Sequence, residues 1–192
     1  MIYVVSGIHR SGTSMMMKVL MEGGIKPYWS KLREKQMMRG RDEYEINPDG
    51  FWEVGQQQYM QMGFTSTVPD ESCIKIQAIG LPILSAAKGY KIVLMRREPE
   101  AIKQSYQKAF PKDNFEAMYP SWPSHYWQLL DGVKGIMEAR RDVDLIELWY
   151  DDALADPHGA VDKLISHGFP LRSPKSAALV INPEYRRFVV NG

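Results

Sequence analysis

Residues 2–14, Ile-Tyr-Val-Val-Ser-Gly-Ile-His-Arg-Ser-Gly-Thr-Ser, run from a β-branched strand through a glycine-bracketed turn into a helix. The spacing Gly7-x-x-x-x-Gly12-x-Ser14 follows the phosphate-binding loop G-x-x-x-x-G-K-[ST]. In that loop, backbone N–H groups and a helix N-terminus wrap an anionic group. Thr13 stands where the pattern carries its lysine. Such a cradle binds phosphate through its amides, through the hydroxyls of Ser11, Thr13 and Ser14, and through the Arg10 guanidinium. It lacks the cation that reaches a γ-phosphate.

The rest of the chain supplies what such a loop needs. Short β-branched runs alternate with helical patterns, the arrangement of parallel strands joined by right-handed crossovers. The spacing predicts strands at residues 2–5, 73–78, 90–95 and 145–149, with 90–95 central and both it and 73–78 beside the first. Helix one is predicted from Gly12 or Thr13 to the Gly23-Gly24 stop, its methionines filling core. Residues 31–41 are basic and partly helical, residues 46–50 form a turn, and a second helix follows through Gln61. Pro99 opens a helix running toward Pro111, Ser124 caps one reaching about Arg140, and residues 157–167 are the last clear helix.

At 192 residues, 44% of them hydrophobic, the chain suits a single domain over 1–192. The balance of 24 basic against 23 acidic residues gives no bulk field for nucleic acid or an anionic membrane, so anion binding must be local. Cys73 is the single cysteine, which excludes an internal disulfide and a cysteine-based zinc site. With no leader ahead of the first strand and no spanning apolar run, the expectation is a soluble, cytoplasmic protein.

Four segments carry a resemblance. They are the loop Gly7 to Ser14; Arg97-Glu98-Pro99 with Ser105 eight positions on; Asn47-Pro48-Asp49-Gly50-Phe51-Trp52-Glu53; and Tyr150-Asp151-Asp152-Ala153-Leu154-Ala155-Asp156-Pro157. Together they resemble, in order over residues 1 to about 170, the sulfotransferases that use 3′-phosphoadenosine 5′-phosphosulfate (PAPS), especially small bacterial and phage-type members. The resemblance implies an α/β fold with three α/β/α layers and a central parallel sheet, of the P-loop-containing nucleotide hydrolase-like (sulfotransferase) type. It implies PAPS as co-substrate, 3′,5′-ADP as product, no metal, and a small-molecule or glycan acceptor bearing a hydroxyl or amine.

The residues support that implication independently. PAPS demands two anion sites, expected at opposite ends of the adenosine. Gly7, His9, Arg10, Ser11, Gly12, Thr13 and Ser14 suit the 5′ end; Arg97 with Ser105 suits the 3′-phosphate. Arg96 and Arg97 point to opposite faces of an extended strand end, so one reaches ligand, and the family register picks Arg97. Arg10, and by resemblance Lys75, stabilise the bridging oxygen as the bisphosphate leaves, although a strand lysine equally suits a sheet edge.

The base that takes the acceptor proton is harder to assign. Many cytosolic members carry a histidine two positions after the strand lysine, where this chain has Gln77. Other branches use a carboxylate, and Glu53 beside Trp52 is the leading replacement, against a surface or helix-capping role. His9 is either structural or a 5′-end contact, and His125, His158 and His167 read as helix-surface or helix-end residues. The aromatics Tyr119, Trp122, Tyr126 and Trp127 either stack on an acceptor or anchor their loop. The basic run 31–41 reads as a solvated helix face, and Arg186 and Arg187 match a further 3′-phosphate contact poorly. The alternatives are a small P-loop kinase using ATP and magnesium, or a nucleotide-binding relative without catalysis.

Overall fold

The computed structural model describes residues 1–29 and 64–182. Its centre is a five-stranded sheet of β1 (Ile2–Gly7), β2 (Lys26–Pro27), β3 (Ser72–Gln77), β4 (Tyr90–Arg96) and β5 (Val143–Trp149). The spatial order is β2-β3-β1-β4-β5 and every pairing is parallel. In chain order the described helices are α1 (Thr13–Glu22), α2 (Pro99–Ala109), α3 (Phe115–Met118), α4 (Ser124–Glu138), α5 (Tyr150–Ala155), α6 (Pro157–Ser166) and α7 (Pro174–Leu179).

Strand alternation builds two cores, one on each face of the sheet. Tyr3, Val5, Cys73, Val93, Met95, Ile146 and Leu148 face α1, α5, α6 and α7. Ile2, Val4, Ile74, Ile76, Ile92 and Leu94 face α2, α4 and a 3-10 turn at Ala78–Ile83. A sheet covered by helices on both faces needs strands that are apolar at nearly every position, and β1 is buried throughout. The result is a three-layer α/β/α fold.

Several boundaries differ from the sequence expectation. The central strand is β1, with β3 and β4 on either side; β4 is interior but fourth in order. Ser124 is the first residue of α4, not its cap, and makes no capping hydrogen bond; the cap position belongs to Pro123. The side-chain cap in this stretch is Asn114, which accepts from the Ala117 N–H at 3.0 Å ahead of α3. The sequence expectation includes no β2, α3, α5 or α7, and α7 lies beyond the last expected helix. Elements of two to six residues show too little periodicity to read and form because the rest of the fold offers a surface to pack on.

The expected turn at 46–50, the helix through Gln61 and the basic run 31–41 lie outside the described residues. Among the described residues, no helix is long and apolar enough to cross a membrane.

Order places the site. The chain leaves β1 toward the β2 side of the sheet and leaves β3 past β1 to β4. The winding therefore reverses between β1 and β3, and the crevice at their C-terminal ends is where open α/β sheets take ligands.

Candidate functional site

The loop between β1 and α1 turns because its backbone adopts positive φ three times, at Gly7 (154°), Arg10 (68°) and Gly12 (94°). A Cβ on Gly7 would stand 2.4 Å from Ser11 Oγ and 2.9 Å from the Met95 carbonyl oxygen. One on Gly12 would stand 2.4 Å from Tyr150 Cδ2. Glycine at both ends is thus a packing requirement as well as a conformational one. Arg10, in the left-handed region without glycine's freedom, carries a local cost of about 1–2 kcal/mol. The first turn of α1 contains no acidic residue, so its amide dipoles face the crevice without a repelling carboxylate.

Ser11 turns its hydroxyl into the loop. Its hydroxyl donates to the Ile8 carbonyl at 2.8 Å and the side chain is fully buried. This hydrogen bond braces the turn between β1 and α1. Thr13 and Ser14 open α1, Thr13 buried and Ser14 half-buried.

Lys75 reaches the loop because of strand parity. It shares with Cys73 the sheet face that packs against α1, and it pairs in register with Val5. Its side chain is 5% exposed, and Nζ donates to Ser14 Oγ at 2.9 Å. The ammonium therefore lies inside the crevice at the start of α1, not at a solvent-facing edge.

The same parity separates the two arginines. Arg96 turns to the α4 face, where it pairs with Glu147 and, at 2.6 Å, with Asp131. Lys134 joins from α4, 2.7 Å from Glu147. Glu147 interrupts the apolar run of β5 because it serves this network. Burial pushes its carboxyl upward, but hydrogen bonds from Lys134 and Arg96 and their charges outweigh burial and hold it below the usual range.

Arg97 turns to the loop side. Its Nη1 donates to the Arg10 carbonyl at 2.9 Å and its guanidinium carbon lies 4.4 Å over the Tyr150 ring. Ser105, 2% exposed on α2, accepts from Arg10 Nε at 3.0 Å. Arg10, Arg97 and Ser105 thus form one connected group with the loop, where the sequence reading set two anion sites at opposite ends of a nucleoside.

His9 is exposed at the mouth of the crevice, its Nε2 2.9 Å from the Gln77 side-chain nitrogen. Gln77 pairs with Gly7 in the sheet, so this contact closes the β1–β3 end of the site. Glu53, Arg186 and Arg187 lie outside the described residues. His125 and His158 are exposed and His167 ends α6. Among the described residues, no three His, Cys, Asp or Glu side chains are grouped to hold a metal ion.

Two residues belong to this geometry without having been assigned to it from sequence. Tyr150 supplies the ring under Arg97 and against Gly12. Tyr126, 1% exposed, bonds the Arg97 backbone, which resolves its part of the aromatic cluster as an anchor. The signal for Tyr150 was its place directly after β5; nothing in the local sequence pointed from Tyr126 to Arg97.

Fold and loop together define an α/β protein with a glycine loop and a cationic crevice at the switch point of its parallel sheet. No family model matches the chain, and no curated protein matches it. Among solved structures it is similar to a crystal structure of retinol dehydratase in complex with androsterone and the inactive cofactor PAP, with a TM-score of 0.49 and 18% identity. That match covers 97% of this chain, and the chain spans 64% of the other.

Proposed function

We propose that residues 1–192 act as one PAPS-dependent sulfotransferase domain, moving a sulfuryl group to a hydroxyl or amine of a small-molecule or glycan acceptor. The observation that carries this reading is the convergence of Lys75 from β3 and Arg97 from the end of β4 on the loop and first turn that carry Arg10, whose side chain reaches Ser105. The loop amides at the start of α1 hold the 5′ phosphosulfate. Arg97 and Ser105 hold the 3′-phosphate, Ser105 retaining its hydroxyl proton to donate while it accepts from Arg10. Lys75 and Arg10 supply positive charge where the bridging oxygen becomes anionic as 3′,5′-ADP leaves. Sulfuryl transfer, like phosphoryl transfer, then depends chiefly on positioning and charge. Glu53 is the proposed base for the acceptor proton.

The Lys75–Ser14 contact favours this reading over a magnesium-dependent kinase. In a phosphate-binding loop the hydroxyl at the Ser14 position ligates magnesium. Here that hydroxyl accepts from an ammonium, whose charge opposes a divalent cation beside it.

Calorimetry with 3′,5′-ADP, ADP and ATP tests the reading, and tight binding of ATP without the bisphosphate would sink it. Sulfate transfer from labelled PAPS into an acceptor panel then separates an enzyme from a binding protein. Thr13→Lys is expected to create no ATPase activity.

A further inference from the structure

Tyr126 is a core residue of α4 whose hydroxyl points to the end of β4. It donates to the Arg97 carbonyl at 2.7 Å and accepts from the Arg97 N–H at 3.1 Å. One hydroxyl thereby satisfies both backbone groups of the first residue beyond the strand. Burial pushes the phenol up to about 12, against the bond to Arg97, so it keeps the proton that it donates.

The Arg97 side chain starts from this pinned backbone and ends on the Arg10 carbonyl and the Tyr150 ring. Tyr126 is itself held by rings. Trp122 lies 5.3 Å away, Phe115 5.3 Å from Trp122, and Tyr106 5.5 Å from Phe115. Tyr106 adjoins Ser105 on α2. One chain of aromatic contacts therefore runs from Tyr126, behind Arg97, to Tyr106 on the helix that carries Ser105.

We propose that Tyr126 is a positioning residue which, through the Arg97 backbone, sets the spacing between the Arg97 guanidinium and Ser105 and hence selectivity for a 3′-phosphorylated nucleotide. The inference rests on the reading of Arg97 and Ser105 as the 3′-phosphate site. It assigns this chain of aromatic contacts to the nucleotide rather than to the acceptor.

The test is calorimetry of the full chain with 3′,5′-ADP and 5′-AMP, which differ by the 3′-phosphate alone. The wild-type protein is expected to bind 3′,5′-ADP more tightly; equal affinities would remove the 3′-phosphate reading itself. Tyr126→Phe keeps the ring and deletes both hydrogen bonds, and is expected to cut the 3′,5′-ADP to 5′-AMP preference about tenfold while 5′-AMP affinity holds. Leu130→Ala, fully buried on the same helix, is the control: it is expected to lower the thermal midpoint and leave the preference intact. A Tyr126→Phe protein with wild-type preference, or with equal losses for both nucleotides, overturns the proposal. So does a Leu130→Ala protein that loses the preference to the same degree.

Discussion

Lys75 Nζ donates to Ser14 Oγ across 2.9 Å, linking the interior of β3 to the first turn of α1. Sixty-one residues separate the two in sequence. The loop pattern lacks a lysine at Thr13, yet the fold brings a buried ammonium to the loop from the neighbouring strand. The two positions are not equivalent: a loop lysine extends along the phosphate chain, whereas Lys75 is fixed by strand parity beside the Ser14 hydroxyl.

Lys75→Met keeps the apolar stem and removes the charge. Transfer from labelled PAPS is expected to fall about 100-fold, the cost of deleting one donor to a developing anion. The bridging oxygen stays on 3′,5′-ADP as an anionic 5′-phosphate oxygen, so affinity for 3′,5′-ADP is expected to fall as well. Wild-type transfer by Lys75→Met would remove Lys75 from this role.

Arg97→Lys preserves charge but loses the planar fork that faces Arg10 and Tyr150. The 3′,5′-ADP affinity is expected to fall about 10- to 100-fold by titration calorimetry, with 5′-AMP nearly unaffected. An unchanged affinity would exclude Arg97 from the 3′-phosphate site.

Gly12→Ala puts a methyl 2.4 Å from Tyr150 Cδ2 at a φ of 94°. Overpacking and backbone strain together are expected to cost about 2–4 kcal/mol in urea unfolding, with nucleotide binding weakened. Wild-type stability would mean that Tyr150 moves aside without cost.

Glu147 makes stability sensitive to acid. Its folded carboxyl is held low because hydrogen bonds and charge from Lys134 and Arg96 outweigh burial. Its contribution is therefore complete above the unfolded carboxylate value of about 4.3 and lost as pH falls through the lower folded value. Glu147→Gln is expected to cost about 1–3 kcal/mol at neutral pH, and the gap to wild type should narrow once pH falls below the unfolded value of about 4.3. A gap independent of pH would rule out the ion pairs as its cause.

Glu53→Gln tests the proposed base. Transfer is expected to fall about 100-fold or more while 3′,5′-ADP binding is retained. Full activity in the labelled-PAPS assay would remove Glu53 from the mechanism.

Much of this was legible locally. The β1–loop–α1 unit reads from residues 2–24 because a strand, two glycines and a helical apolar repeat are consecutive in sequence. The opposite aims of Arg96 and Arg97 follow from strand alternation alone, and the partners of Arg96 on α4 and β5 agree. Short elements were not legible: Lys26–Pro27 and Tyr150–Ala155 take their structure from packing on a sheet that no short window contains.

By itself, the sequence determined where the chain turns, which residues alternate across the sheet and which cations are available, because these follow from nearest-neighbour stereochemistry. Tertiary structure decided which of those cations meet. Lys75 lies on Ser14, and Arg97 on Arg10, because β3 and β4 flank β1 in a parallel sheet. It also decided that the Ser11 hydroxyl meets the Ile8 carbonyl and that the Tyr126 hydroxyl meets Arg97. Hydrogen-bond partners so far apart in sequence are set by strand order and helix packing, which are properties of the whole chain.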